Sequence, residues 1–287
     1  MLEYFLNHKN SIIRKGVAYT LQTIKIPFRF ACTSSLYKVK PPIIVNSIPK
    51  SGTHLLLQIA RSIPQTIYLG GFIAHAWSVT LRERSVWELL LRIRMLVPGE
   101  VVGAHIKYDT KIENLIRKMN CIHLFIYRDP RDIVISEAVY LTEMNRWHRL
   151  HKFMCKLDSY EDRIRSLIEG IPGIYGDISE RLRGFIPWIN SKDCICIRYE
   201  DLQGDNRKNV LKYIARRIVE KTSAYGTVDE LVKRMESGIN PQKSHTFREG
   251  GVQKWRSRLS PDNLLLLESL AHSEIRALGY ELAIKEV

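Results

Sequence analysis

Pro42-Ile43-Ile44-Val45-Asn46-Ser47-Ile48-Pro49-Lys50-Ser51-Gly52-Thr53-His54 is the stretch on which the fold turns. A short run rich in β-branched apolar residues ends at Ser47, the pattern of a strand buried on both faces. A turn with Pro and Gly follows, and from Gly52 to Arg61 the residues are helix-like. Such a turn presents backbone N–H groups at the positive end of a helix dipole. The Ser51 and Thr53 hydroxyls and the Lys50 ammonium complete an anion site. The turn is not the nucleoside-triphosphate loop G-x-x-x-x-G-K-[ST]. It has no early glycine, and Lys50 precedes Gly52 instead of following it.

The same alternation continues outward. Val101–Ile106, Cys121–Tyr127 and Cys194–Arg198 read as further buried strands. Residues 109–119, 130–143, 206–220, 227–237 and 261–277 read as helices. Residues 78–97 form a basic amphipathic segment stopped by Pro98-Gly99, and 144–190 are mostly helical with a break near Pro172-Gly173. Residues 238–258 read as a long basic loop. Apolar strands separated by helices predict an α/β three-layer sandwich around a central, mostly parallel sheet. Ligands in such folds lie at the carboxyl ends of strands, here after Ser47, Ile106 and Tyr127. Residues 41–287 then form a single domain, and 1–40 are either helices packed on it or a basic arm.

The whole chain has 287 residues, 45% hydrophobic and 26% charged, which excludes a disordered or collagen-like protein. Lys and Arg number 44 against 30 Asp and Glu, a formal charge of +14. That excess favours an anionic partner: a nucleotide, nucleic acid, an acidic glycan or an anionic membrane surface. No nucleic-acid recognition motif accompanies it. Five cysteines are an odd number in a long chain and make no disulfide framework. Cys194 and Cys196 share one strand face as reduced thiols. The opening MLEYFLNHKN has no apolar signal core, and Lys25, Pro27 and Arg29 interrupt residues 17–37. A cytoplasmic protein is expected, with a peripheral membrane contact through the basic N-terminal arm as a further use of residues 1–40.

Tyr127-Arg128-Asp129-Pro130-Arg131-Asp132 follows a strand, with Ser136 one helical turn beyond Asp132. Arg128 and Ser136 can converge on a second phosphate, while Arg131 reads as a surface ion-pair residue. Further on come Arg198-Tyr199-Glu200-Asp201-Leu202, then Phe247-Arg248-Glu249-Gly250-Gly251-Val252-Gln253-Lys254-Trp255, and Leu278-Gly279-Tyr280-Glu281. In this order the motifs resemble those of the sulfotransferases that use 3′-phosphoadenosine 5′-phosphosulfate (PAPS), with the P-loop NTPase-like architecture of that family. The resemblance spans Pro41 to Trp255. It implies that Lys50, Ser51, Gly52, Thr53, His54 and Leu55 wrap the 5′-phosphosulfate and that Arg128 and Ser136 hold the 3′-phosphate. It also implies that Tyr199 lies near the adenosine and that Arg248, Glu249 and Gly250 close over the 3′-phosphate.

The resemblance further implies the chemistry. An acceptor oxygen attacks sulfur in line, Lys50 meets the charge on the leaving phosphate, and His105 takes the acceptor's proton. Glu83 and His75 are the fallback bases. Three positions depart from the family: Leu55 where a Trp often stacks on adenine, Glu249 where a Lys is usual, and Gly103 where cytosolic members carry a Lys. No metal is expected. No carboxylate pair follows the turn to hold magnesium, and His148, His151 and Cys155, at i, i+3 and i+7, lack a fourth ligand. The expected acceptor is a hydroxyl, less readily an amine, on a small molecule, glycan or lipid. The alternatives are a kinase-like P-loop phosphotransferase and a relative that binds the spent nucleotide, 3′,5′-adenosine bisphosphate (PAP), without catalysis.

Overall fold

A computed structural model describes residues 2–8, 10–240 and 251–283. Three helices precede the sheet: α1 (Leu2–Leu6), α2 (Ser11–Ala31) and α3 (Ser34–Val39). Five strands then form one wholly parallel sheet in the order β2-β3-β1-β4-β5. They are β1 (Ile43–Ser47), β2 (Ile67–Ala74), β3 (Glu100–His105), β4 (Ile122–Tyr127) and β5 (Cys194–Arg198).

The apolar runs explain the layers. All five residues of β1 are buried, and its side chains alternate between the two faces. Ile43 and Val45 pack with Leu56 and Ile59 of α4 (Thr53–Arg61) and with the helices Arg207–Lys221 and Val228–Gly238. Ile44 joins the opposite layer with Val102, Phe125 and Trp188. That layer is built from α5 (Val86–Arg94), α6 (Thr110–Lys118), α7 (Pro130–Val139) and the helices Tyr160–Glu169 and Pro261–Leu270. The three-layer α/β sandwich expected from the sequence is the fold observed.

Three features depart from the sequence reading, the first being that the helix read over 261–277 is two, Pro261–Leu270 and His272–Ala277. β2 is a strand the residue pattern did not reveal. Gly70-Gly71 interrupts its apolar run, and it forms the sheet edge with a register shift between Tyr68 and Phe72. A Cβ on Gly70 would stand 2.6 Å from the Ala18 Cβ, because α2 lies directly against this strand. The segment 78–97 is not one helix. Ala76 and Glu83 first form an antiparallel bridge, and α5 begins only after Ser85, where Ser85 and Glu88 form a reciprocal capping box.

The N-terminal helix is fastened by polar contacts as well as by packing. Gln22 Nε2 donates to the Leu69 carbonyl at 3.2 Å. Lys25 Nζ reaches both oxygens of the fully buried Glu100, at 2.7 and 2.9 Å. Among the described residues no helix is long and apolar enough to cross a membrane.

Candidate active site

The carboxyl ends of β1, β3 and β4 meet around the turn between β1 and α4. Lys50 and Gly52 both have left-handed φ, 69° and 97°. Gly52 is required twice over: its φ suits glycine, and a Cβ there would lie 2.5 Å from the Tyr199 ring. Ser51 is fully buried, and its Oγ has no hydrogen-bond partner. A buried hydroxyl left unpaired beside a helix N-terminus is what an anion site presents before its ligand arrives. His54 is exposed, and Leu55 is half-buried against the core cluster of α4.

Ser47 links this turn to His105. The Ser47 Oγ lies 2.7 Å from the Thr53 Oγ1 and 3.0 Å from His105 Nδ1. His105 Nδ1 is also 3.1 Å from the Ser47 carbonyl oxygen. A carbonyl can only accept, so that contact puts the proton on Nδ1 and leaves the Nε2 lone pair as the ring's base. Burial lowers the His105 pKa to about 4, against the Ser47 carbonyl bond that raises it, with the charges of His54 and Lys50 lowering it further. The imidazole is therefore neutral at ordinary pH, as a general base must be.

Gly103 precedes His105 by two residues on the same strand face. The space is already filled: a Cβ on Gly103 would lie 2.7 Å from the Phe72 ring. That ring meets His105 edge-on, with centroids 4.9 Å apart. An aromatic side chain from the edge strand thus stands where the cytosolic relatives were expected to place a lysine. Lys107 does not replace it, because its ammonium is 2.7 Å from Glu83. The Lys107 hydrogen bond holds the Glu83 carboxyl below its ordinary pKa, which makes it a weak base. His75 sits beside Glu83, with Nε2 at 3.9 Å, and its backbone N–H donates to the His105 carbonyl at 2.7 Å. The fallback bases therefore form a separate cluster next to His105.

Lys50 Nζ rests 3.9 Å from the centroid of the Tyr140 ring. Tyr140 opens a π-helical turn, Tyr140–Met144, that continues α7. Burial lowers the Lys50 pKa to about 8, with Glu137 raising it and Arg128 lowering it. Arg128 is buried at the end of β4, with its guanidinium 4.4 Å from the Tyr199 ring centroid. Its Nη2 donates to Asp132 at 3.3 Å and to the Gly251 carbonyl at 2.9 Å, while Nε has no partner. Ser136 is half-buried on α7, one turn beyond Asp132. Arg248, Glu249 and Gly250 lie outside the described residues.

Several residues that order the site were not singled out from the sequence. Asp132 accepts from the backbone N–H groups of Gln253 and Trp255 at 2.9 and 3.0 Å, and so ties the segment after residue 250 to Arg128. Glu200 accepts from the Asp129 N–H at 3.1 Å and from the Tyr280 hydroxyl at 2.7 Å. That joins three of the quoted motifs at the start of α7. Arg131 is an ion-pair residue but a buried one, held between Asp129 at 2.8 Å and Glu268 at 2.7 Å over the Trp255 ring. The repeated Asp of Arg128-Asp129-Pro130-Arg131-Asp132 was the available signal for these ties. Cys155 Sγ lies 3.7 Å from His151 Nδ1, while His148 Nδ1 accepts from the Leu150 N–H at 3.2 Å, and among the described residues no three His, Cys, Asp or Glu converge as a metal set.

A parallel α/β sheet whose first turn offers Lys50 and an unpaired Ser51 hydroxyl, with buried Arg128 at the end of the neighbouring strand, is the setting in which such folds take anionic ligands. Comparison with known proteins narrows the class. The profile of the family described as "Sulfotransferase domain" matches residues 40–279, so the chain belongs to the sulfotransferase-domain family. Sulfotransferase 2A1 of Macaca fascicularis is 22% identical over 258 residues, covering 84% of this chain and 86% of that protein. Flavonol 3-sulfotransferase of Flaveria bidentis is 22% identical over 278 residues, covering 85% of each. Among solved structures, mouse sulfotransferase SULT7A1 complexed with PAP superposes with a TM-score of 0.57 at 18% identity, over 84% of this chain and 88% of that one. Retinol dehydratase in complex with androsterone and the inactive cofactor PAP gives 0.54 at 14% identity, over 85% and 82%.

Proposed function

We propose that the protein transfers the sulfuryl group of PAPS to a hydroxyl of a small, largely apolar acceptor. The observation that carries this reading is the Ser47–His105 contact. It orients a neutral imidazole beside the phosphate turn, with its basic nitrogen opposite the backbone contact. The unpaired buried Ser51 Oγ and Arg128 Nε fit a donor with two separated anionic groups.

PAPS, when bound, supplies an activated sulfuryl group on a phosphate leaving group. The turn from Lys50 to Leu55 holds the 5′ end, and Arg128 with Ser136 holds the 3′-phosphate. Tyr199, whose ring lies beside Gly52 and under the Arg128 guanidinium, is the aromatic group assigned to the adenosine. The resemblance assigns Arg248, Glu249 and Gly250, outside the described residues, to the same phosphate. His105 Nε2 accepts the acceptor's hydroxyl proton as its oxygen bonds to sulfur. Lys50 neutralises the charge gathering on the phosphate oxygen as the sulfur–oxygen bond breaks. No metal enters this scheme, and a cytoplasmic location suits a nucleotide donor. The acceptor reading is supported by relatives named for a flavonol and by a related structure that holds androsterone.

Two experiments test the proposal. Isothermal titration with PAP is expected to show binding that weakens by about 2–5 kcal/mol in Arg128→Ala, the usual cost of removing one partner from a buried charge contact. Labelled PAPS with a panel of apolar alcohols and phenols is expected to give a sulfated product with the wild type. His105→Ala is expected to lower turnover by about 10²–10⁴-fold while leaving PAP affinity unchanged. PAP binding with no transfer to any acceptor would favour the non-catalytic relative. ATP binding in place of PAP would favour the phosphotransferase.

A further inference from the structure

The outer face of α2 is apolar where a water-facing helix ordinarily carries charge. Ile12, Tyr19, Ile26 and Phe30 are 79%, 67%, 41% and 79% exposed. At about 100° per residue their spacing returns each to within about 40° of one line along the helix, a stripe about 27 Å long. Ile24 and Phe28 are also exposed, about 135° and 175° round the helix from that line. Gln22 on Leu69 and Lys25 on Glu100, about 65° and 125° round the helix from that line, commit the inward face to the domain, so the stripe cannot turn inward. Residues 1–39 lie outside the matched family segment.

Charge selects the occupant. No Asp or Glu lies between Glu3 and Glu83, whereas Arg14, Lys15, Arg29, Lys38 and Lys40 lie on α2, on α3 or just beyond. Lys15 and Lys38 are exposed. A second copy of this face would bring cations against cations, while an anionic bilayer complements both the charge and the apolar stripe. We propose that α2 docks the protein flat on an anionic phospholipid surface. Ile12, Tyr19, Ile26 and Phe30 enter the acyl boundary, and Lys15 and Lys38 meet headgroup phosphates. The helix lies on the surface and does not cross it, since its Lys25 stays fastened to β3. This inference is independent of the donor and acceptor reading.

Vesicle co-sedimentation of the full chain tests it, using phosphatidylcholine with and without phosphatidylglycerol. Wild type is expected to bind the anionic vesicles, bind the neutral ones far less, and be released by salt. Tyr19→Ser and Phe30→Ser are each expected to weaken binding by about tenfold. Lys15→Glu with Lys38→Glu is expected to remove the preference for phosphatidylglycerol. An unchanged circular dichroism spectrum and melting temperature confirm that each variant is folded. Three results overturn the proposal: no binding by wild type, binding that both serine variants retain, or a concentration-dependent dimer in sedimentation velocity that those variants abolish.

Discussion

At the residue scale, the roles proposed for His105 and Lys50 set opposite pH limits on the proposed reaction. The base works only when neutral, and burial holds His105 near 4, so its limb appears only as pH falls through about 4. The cation works only when charged, and burial brings Lys50 to about 8, so its contribution is lost as pH rises through about 8. A kcat/KM profile, which reports the free enzyme, is therefore expected to be flat between these values. An acid limb near the ordinary histidine value of about 6.5 would show that His105 is not the base. The residues of the phosphate turn were legible because backbone N–H groups, hydroxyls and an ammonium in one turn have few other uses. Ser47, Phe72 and Tyr140 were not legible. Their roles are contacts across the sheet and into α7, and no spacing along the chain encodes those.

At the scale of elements, edge strand β2 decides the surroundings of the base. Phe72 reaches across to Gly103 and His105, so Gly103→Ala is expected to push the ring aside. The cost is about 1–3 kcal/mol, measurable in urea unfolding, together with a fall in turnover. Phe72→Ala in the same chain is expected to return the stability lost at Gly103. Recovery of nothing in the double variant would count against the contact. α2 gives a second prediction. Lys25→Met leaves the Glu100 carboxylate buried without its cation and is expected to cost about 3–5 kcal/mol. Earlier proteolytic cleavage near α2 is the companion readout, and Glu100→Gln paired with Lys25→Met is expected to lessen the loss. The four buried strands could be recognised because each is an apolar run of strand length. β2 escaped because close packing of α2 requires Gly70-Gly71 in its middle, which erases the run.

At the scale of the molecule, two histidines couple the fold to pH. Burial lowers His123 to about 3 and His105 to about 4. The unfolded chain binds these protons near 6.5, while the folded chain refuses them until pH 3–4. The contribution of these two groups to stability is thus complete above about pH 6.5 and falls as pH drops through that window, by about 1.4 kcal/mol per pH unit for each group. Melting temperature is expected to fall between pH 7 and 5. His123→Leu, at a site packed on Trp188 with Nε2 unpaired, is expected to flatten that slope. An unchanged slope would place the acid sensitivity elsewhere. The sequence by itself determined the sheet's class, the strand–turn–helix around Lys50 and the order of the motifs, because these depend on runs, turns and spacings along the chain. Only the tertiary structure decided that Phe72 fills the place beside His105, that Arg131 is buried and that Glu200 and Asp132 tie the motifs together. The same holds for the apolar face that α2 turns outward. Each of these is a contact between residues far apart in the chain, set by which surfaces the packed sheet brings together.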